Sequence, residues 1–240
     1  MTMMKMNRLR KICRFCADVI YPNRCPCCNG FILWNEYICP ACEEKILIDT
    51  ESLCIKCGKL KEECICASLP KYDEAVAISF YEEVTKKAVI AMKQSENTNF
   101  GYFAGEKLGL WIASRPEWKD ADGIVYVPMS RMKKLARGYD QAEIIARAIS
   151  QKTGIPILKN CIIKRRGFSE QHTLSAEERA KNTESFIPAG RDLEGMKLIL
   201  CDDILTTGNT LSRCAEILKM CGAKTVYAAA AATVRRKREE

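Results

Sequence analysis

The chain has 240 residues, and its 38 Lys and Arg against 30 Asp and Glu leave a formal net charge of +8, which suits an anionic ligand or a nucleic acid. With 48% hydrophobic and 28% charged residues, the composition is that of a folded globular protein and excludes a disordered tail protein. No run approaches the roughly 18 consecutive apolar residues of a membrane span, and the basic start MTMMKMNRLRK leads into no apolar signal core, so the expectation is a cytoplasmic protein.

The first segment is dense in cysteine. Of the 15 cysteines, eleven (Cys13, Cys16, Cys25, Cys27, Cys28, Cys39, Cys42, Cys54, Cys57, Cys64 and Cys66) precede residue 67. An odd total without an export signal argues against a disulfide framework and for metal. Cys13 and Cys16 lie on the predicted helix RLRKICRFCADVI, as small buried hydrophobes beside Ile12, Phe15 and Val19. Two CxxC turns follow, Cys25/Cys28 and Cys39/Cys42, then Cys54/Cys57 and the shorter Cys64-x-Cys66. Two such turns supply the four thiolates of a tetrahedral zinc site. The spacing predicts one zinc on Cys25, Cys28, Cys39 and Cys42 and a second on Cys54, Cys57, Cys64 and Cys66. An interleaved pairing of Cys25/Cys28 with Cys54/Cys57 stays open. Cys27 competes with Cys25 as a ligand, although CxxC spacing favours Cys25. An iron–sulfur cluster ranks below zinc. The segment has little apolar mass, so ligation must supply folding energy that a core cannot. Lys45, Lys56, Lys59 and Lys61 with Phe31, Trp34 and Tyr37 offer the charge and rings that would bind a single strand; the same rings would equally serve as a small core around the metal.

The composition changes at Leu69–Pro70, which divides the chain into a helix and double zinc segment, 1–69, and a second domain, 70–240. In the second domain the predicted elements are a strand at 75–81, helices at 84–94 and 100–115, a buried strand at 124–128, an amphipathic helix at 139–154 closed by Gly154, and a strand at 161–164. A charged stretch without a core face (165–185), a strand at 197–201, a helix at 210–222 and a final buried strand at 225–234 complete the series. Alternation of strand and helix predicts an α/β fold, a mostly parallel sheet with helices on both faces.

The most specific string is KLILCDDILTTGNTLSRCAEIL. An apolar strand delivers Asp202 and Asp203, and Thr206, Thr207, Gly208, Asn209 and Thr210 open a helix. Ligands of parallel sheets bind beyond the strand ends. N–H groups at a helix start and threonine hydroxyls donate to a phosphate, and the carboxylates accept from vicinal sugar hydroxyls or hold Mg²⁺. A ligand with a phosphate and a cis-diol satisfies both halves.

CDDILTTGNTL resembles the 5-phosphoribosyl-1-pyrophosphate (PRPP) motif of type I phosphoribosyltransferases. Together with RCPCC, VPMSRMKKLARGYDQAE and RRGFSEQHTLSAEERAKN, it makes nearly the whole chain similar to the ComF/ComFC family of late competence proteins. The resemblance implies a type I phosphoribosyltransferase fold preceded by a small zinc-ribbon or knuckle domain, with one or two structural Zn²⁺, and Mg²⁺ accompanying PRPP. It implies that Asp202 and Asp203 hold the ribose as the catalytic pair and that Thr206, Thr207, Gly208, Asn209 and Thr210 hold the 5-phosphate. Arg131 and Arg137, with Lys133 and Lys134, would neutralise the pyrophosphate, and a lid carrying Gln171, Arg179 and Asn182 would close over it. Asp140 stands where the family has Asn. His172, the single histidine, is read as a surface residue. The implied role is PRPP binding in natural transformation, the uptake and handling of single-stranded DNA, beside a competence helicase at the inner face of the membrane. Whether phosphoribosyl transfer occurs is left open. The alternative is a non-catalytic DNA-binding or adaptor module whose PRPP site is regulatory or vestigial.

Overall fold

The computed structural model describes residues 22–64, 66, 70–94, 97–165 and 186–235. Cys13, Cys16, His172 and the lid residues Gln171, Arg179 and Asn182 lie outside this set. Among the described residues the elements run α1 (Pro40–Ile46), β1 (Glu74–Ala77), α2 (Glu83–Gln94), α3 (Asn99–Ala113), α4 (Pro116–Lys119) and β2 (Gly123–Tyr126). They continue with α5 (Arg131–Arg137), α6 (Gln141–Thr153), β3 (Ile162–Lys164), β4 (Phe186–Pro188), β5 (Lys197–Leu205), α7 (Asn209–Met220) and β6 (Thr225–Thr233). No helix among them is long and apolar enough to cross a membrane.

Four strands form one parallel sheet in the order β1-β6-β5-β2. Its two central strands read as continuous apolar runs because helices cover both faces. Alternation sorts them: Leu198 and Leu200 of β5 join α7 and Leu193 on one side, whereas Ile199 and Cys201 face Phe100, Ile145 and Ile149 on the other. The CIIK strand departs from its expected place. It leaves the main sheet and pairs antiparallel with β4, forming a small ribbon with Ile162 opposite Pro188. The Phe186–Pro188 segment is too short to carry a period, so the sequence pattern predicts no strand there.

Helices α3 and α6 pack unusually close. Gly101, Gly105 and Gly109 recur every fourth residue along α3, which puts them on one face toward α6. A Cβ at Gly105 would sit 2.6 Å from the Ile145 carbonyl oxygen and 2.5 Å from Ala148 Cβ. Gly105→Ala is therefore expected to lower stability by about 1–3 kcal/mol through overpacking, despite alanine's better helix propensity. Urea unfolding measures it, and an unchanged midpoint would contradict the packing argument.

Among the described residues, the buried side chains of the zinc segment join the cores of the second domain. Ile38, Cys42 and Ile46 join the cluster of α2 and α3, and Leu53 joins the opposite cluster. Ile48 N–H donates to Ile78 O (3.1 Å), extending the contact beyond β1.

Candidate functional site

The acidic pair lies inside β5 rather than after it. The expected strand ended at Cys201, but β6 continues the ladder, with Asp202 opposite Ala230 and Leu205 opposite Thr233. On the other edge β2 stops at Tyr126, opposite Cys201, so Asp202 and Asp203 project beyond it. Adjacent strand residues diverge in direction. Asp203 pairs with Lys93 of α2 (Nζ–Oδ2 2.8 Å), while Asp202 Oδ1 accepts the N–H of Asp203 (2.9 Å). Burial, then the neighbouring Asp203 charge, pushes the Asp202 carboxyl above its ordinary range.

Both carboxylates line a cleft of about 330 Å³ with Lys93, Ser130, Lys133, Arg137, Asp140, Gln141 and Lys164. The sequence-predicted Arg137 and Lys133 thus meet the acidic pair. Arg131 and Lys134 line an adjoining cavity of about 600 Å³ with Lys164 and Arg165; the two cavities share Pro128, Met129, Asp140 and Lys164. The basic stretch is not all loop. Ser130 caps α5, its hydroxyl accepting from Lys133 N (3.4 Å), and Gly138 ends it at φ 80°. Lys134 is bound to Glu143 (2.6 Å), which Arg147 also reaches (2.7 Å). Burial pushes the Glu143 carboxyl up, but those two cations outweigh it and hold it below the ordinary range.

Asp140 has a structural task. Its Oδ1 accepts from Ala142 N (3.1 Å) and Glu143 N (3.4 Å), capping α6, and Oδ2 accepts from Met129 N (2.9 Å). One buried side chain thereby fixes the 127–130 turn against the start of α6. Burial raises its pKa, and the Met129 and Glu143 N–H groups oppose the rise. Gln141, also buried, leaves Nε2 without a partner in the described structure. Lys93, Ser130, Gln141 and Lys164 are the cleft residues that the sequence reading did not assign to the site. Lys93 comes from a distant helix, and Gln141 had only its place in the GYDQA string as a signal.

Beyond the pair, Thr206 and Thr207 are exposed and Gly208 adopts φ 83° as the N-terminal cap of α7. Only glycine enters that left-handed region freely. Asn209 and Thr210 form the first turn. The predicted strand, loop and helix therefore stand in the expected order.

The cysteines gather as two separate sets. The sulfurs of Cys25, Cys28, Cys39 and Cys42 lie within 4.8 Å of one another, as do those of Cys54, Cys57, Cys64 and Cys66. The Cys28–Cys39 separation is 3.7 Å, and Cys54–Cys66, Cys57–Cys64 and Cys54–Cys64 are 3.6, 3.7 and 3.5 Å. Tetrahedral zinc with bonds of about 2.3 Å requires sulfurs about 3.8 Å apart, so both sets fit structural Zn²⁺. The interleaved pairing is excluded, and the short Cys64-x-Cys66 spacing still closes a site. Against the upward push of burial, backbone N–H groups hold the Cys25 and Cys54 thiols down to about 7, whereas burial and neighbouring thiols push those of Cys39 and Cys42 up, and neighbouring thiols and burial push that of Cys66 up. Cys27 is buried outside the set, and burial pushes its thiol far up. Metal analysis of the purified protein is expected to return about two zinc ions per chain; one or none would contradict the two-site geometry.

The rings and lysines proposed for nucleic acid divide. Phe31 and Trp34 are exposed, at 68% and 55%, and Arg24 lies over the Phe31 ring at 4.2 Å. Tyr37 is stacked on Tyr102 with centroids 5.5 Å apart. Lys45, Lys56 and Lys61 are exposed, but Lys59 is buried and donates to Leu205 O and Val234 O (2.9 Å each). Lys59 therefore does not belong to a strand-binding face.

Comparison with known proteins finds two families on different parts of the chain. The double zinc ribbon domain family matches residues 16–70, and the phosphoribosyl transferase domain family matches residues 135–240. Competence protein F of Haemophilus influenzae is 25% identical over 85% of this chain and 93% of its own. DNA utilization protein YhgH of Salmonella typhimurium is 22% identical over 90% and 92%. Competence protein ComFC of Bacillus subtilis is 22% identical over 77% and 78%. With a double zinc ribbon and a phosphoribosyltransferase-type domain matched in one chain, and relatives named as competence and DNA utilization proteins along most of its length, the comparisons support the resemblance to the ComF family.

Proposed function

We propose that the protein binds PRPP with Mg²⁺ and works in natural transformation, in the handling of incoming single-stranded DNA. The observation that carries the reading is one cleft in which the Asp202–Asp203 pair meets the cations Lys133 and Arg137. The glycine-opened start of α7 follows the pair along the chain as a third anchor. In this reading the pair accepts from the ribose hydroxyls and the loop at 206–210 takes the 5-phosphate. Lys133 and Arg137, with Arg131 from the adjoining cavity, neutralise the pyrophosphate. The oxygen donors of the acidic pair fit Mg²⁺, a hard cation that keeps several waters and binds with substrate phosphates. Mg²⁺ would supply charge neutralisation at the pyrophosphate.

If transfer occurs, the bond from the anomeric carbon to pyrophosphate breaks as a nucleophile of the acceptor bonds to that carbon, and pyrophosphate leaves with the electron pair. The two carboxylates stabilise the positive charge that develops on the ribose. The Lys93–Asp203 ion pair holds one carboxylate in place. Calorimetry with PRPP, with and without Mg²⁺, tests the binding step: Mg²⁺-dependent binding is expected, and none in either condition would refute it.

A direct role in strand binding is favoured by the exposed Phe31 and Trp34 and by Arg24, which lies over the Phe31 ring. Replacing Lys45, Lys56 and Lys61 with Gln is expected to weaken oligonucleotide binding. It should flatten the salt dependence by about 0.7 for each phosphate that is no longer neutralised, with PRPP binding intact. Filter or anisotropy titrations across salt concentrations measure it. Undetectable strand binding at low salt would assign DNA contact to a partner, the helicase that the family resemblance suggests.

A further inference from the structure

We propose that the second zinc knuckle sets the geometry of the 206–210 loop, with Lys59 as the positioning residue that joins them; the identity of the loop's ligand rests on the phosphoribosyl reading above. Leu205, whose carbonyl Lys59 grips, immediately precedes Thr206. The same carbonyl accepts from Val234 N (3.2 Å), so the ammonium clasps the ends of β5 and β6 together where the ladder stops. Lys59 is itself part of the zinc turn: its carbonyl accepts from Cys54 N (2.7 Å), and Gly58 N donates to Cys54 O (2.8 Å). Gly58, at φ 70°, lets this turn lie flat on the strand end. A Cβ there would come within 2.6 Å of Leu205 Cδ2.

Two further ties run to the other side of the loop. Tyr72 donates its hydroxyl hydrogen to Cys57 O (3.3 Å), and that hydroxyl lies 3.1 Å from where a Cβ on Gly208 would sit. Lys71 N donates to Ser212 Oγ in α7 (2.8 Å). A phosphate cradle works only if its strand end and its helix start keep a fixed distance, because its donors are backbone N–H groups spread between them. Here Lys59 pins the strand end to the zinc turn directly, and the helix start is reached through Tyr72, which bonds that turn, and Lys71 beside it. A buried ammonium also tolerates no loss of its acceptors, so displacement of the turn releases the strand end.

Three proteins, wild type, Lys59→Met and Lys59→Arg, are titrated calorimetrically with ribose 5-phosphate and, separately, with inorganic pyrophosphate. Lys59→Met keeps the chain length and removes the donors. It is expected to weaken ribose 5-phosphate roughly tenfold or more while pyrophosphate changes less than about twofold, and Lys59→Arg is expected to recover part of the loss. Unchanged ribose 5-phosphate affinity, or parallel loss of both probes, would overturn the proposal. Because Lys59→Met is a buried change and risks misfolding, hydrogen exchange of the wild-type protein under graded chelation gives a second readout. Amides at 206–210 should lose protection together with those at 54–64, while β2 keeps its own; a loop that stays protected after the knuckle opens would overturn the coupling. If wild type binds neither ribose 5-phosphate nor PRPP, the phosphoribosyl reading fails, and the exchange experiment still decides whether the knuckle holds the loop.

Discussion

Replacing both Asp202 and Asp203 with Asn is expected to lower PRPP affinity at least a hundredfold while leaving the fold intact. Each carboxylate hydrogen bond to a ribose hydroxyl is worth roughly 1.5–3 kcal/mol, and the pair also supplies the charge that a divalent cation would need. The variant keeps the side-chain shape, and burial already disfavours the ionised form of Asp202. Asp202→Asn alone should therefore leave stability unchanged or raise it. A carboxyl whose folded pKa is raised binds its proton more tightly in the native state than in the unfolded chain. Its contribution to stability falls as pH rises above the ordinary Asp value of about 4. Thermal melts of wild type and Asp202→Asn across pH should diverge in that direction, with the wild type losing ground at higher pH. Calorimetry that finds full PRPP affinity in the double variant would remove the acidic pair from the site.

Cys39→Ser is expected to be the most destabilising single change. Structural zinc contributes on the order of 10–16 kcal/mol to folding of small zinc domains, and three ligands cannot close a tetrahedral site. The loss should spread beyond the first ribbon, because Ile38, Cys42 and Ile46 belong to the same buried cluster as Phe100 and Leu108 of α3. A partial unfolding that stops at residue 47 would leave that face of α2 and α3 exposed, so aggregation or a large drop in melting temperature is the expected outcome. Cys27→Ser is the contrast. Cys27 is buried but outside the zinc set, so its replacement costs only the burial of a hydroxyl, about 1–3 kcal/mol, and leaves zinc content unchanged. Equal effects of the two substitutions would show that the metal does not organise the segment.

The zinc ligands were readable because CxxC is a local geometry, with both sulfurs fixed by one turn of chain. Which pair shares a metal with which was not readable, since that depends on how four turns fold onto one another. The acidic pair and its loop were readable for a similar reason. Strand, carboxylates, Gly208 and helix follow within 20 residues, and each step has a local signature. Lys93 was not, because the residue it pairs with, Asp203, lies far along the chain and only packing of α2 on β5 brings them together.

The sequence by itself determined the alternation of strands and helices, the eight cysteines that gather in two sets, and the strand–loop–helix order around Asp202 and Asp203. All of these are written in short-range spacing, hydrophobic period and turn chemistry. Only the tertiary structure decided the rest. It extended β5 through the carboxylates because β6 runs on beside them, and it split the basic stretch between two cavities because Ser130 and Gly138 bound a helix there. It turned Asp140 into a cap and buried Lys59 at the ends of β5 and β6. An exposed and a buried lysine have the same local sequence signature. Their roles are assigned by acceptors 146 and 175 residues away, which no local pattern can indicate.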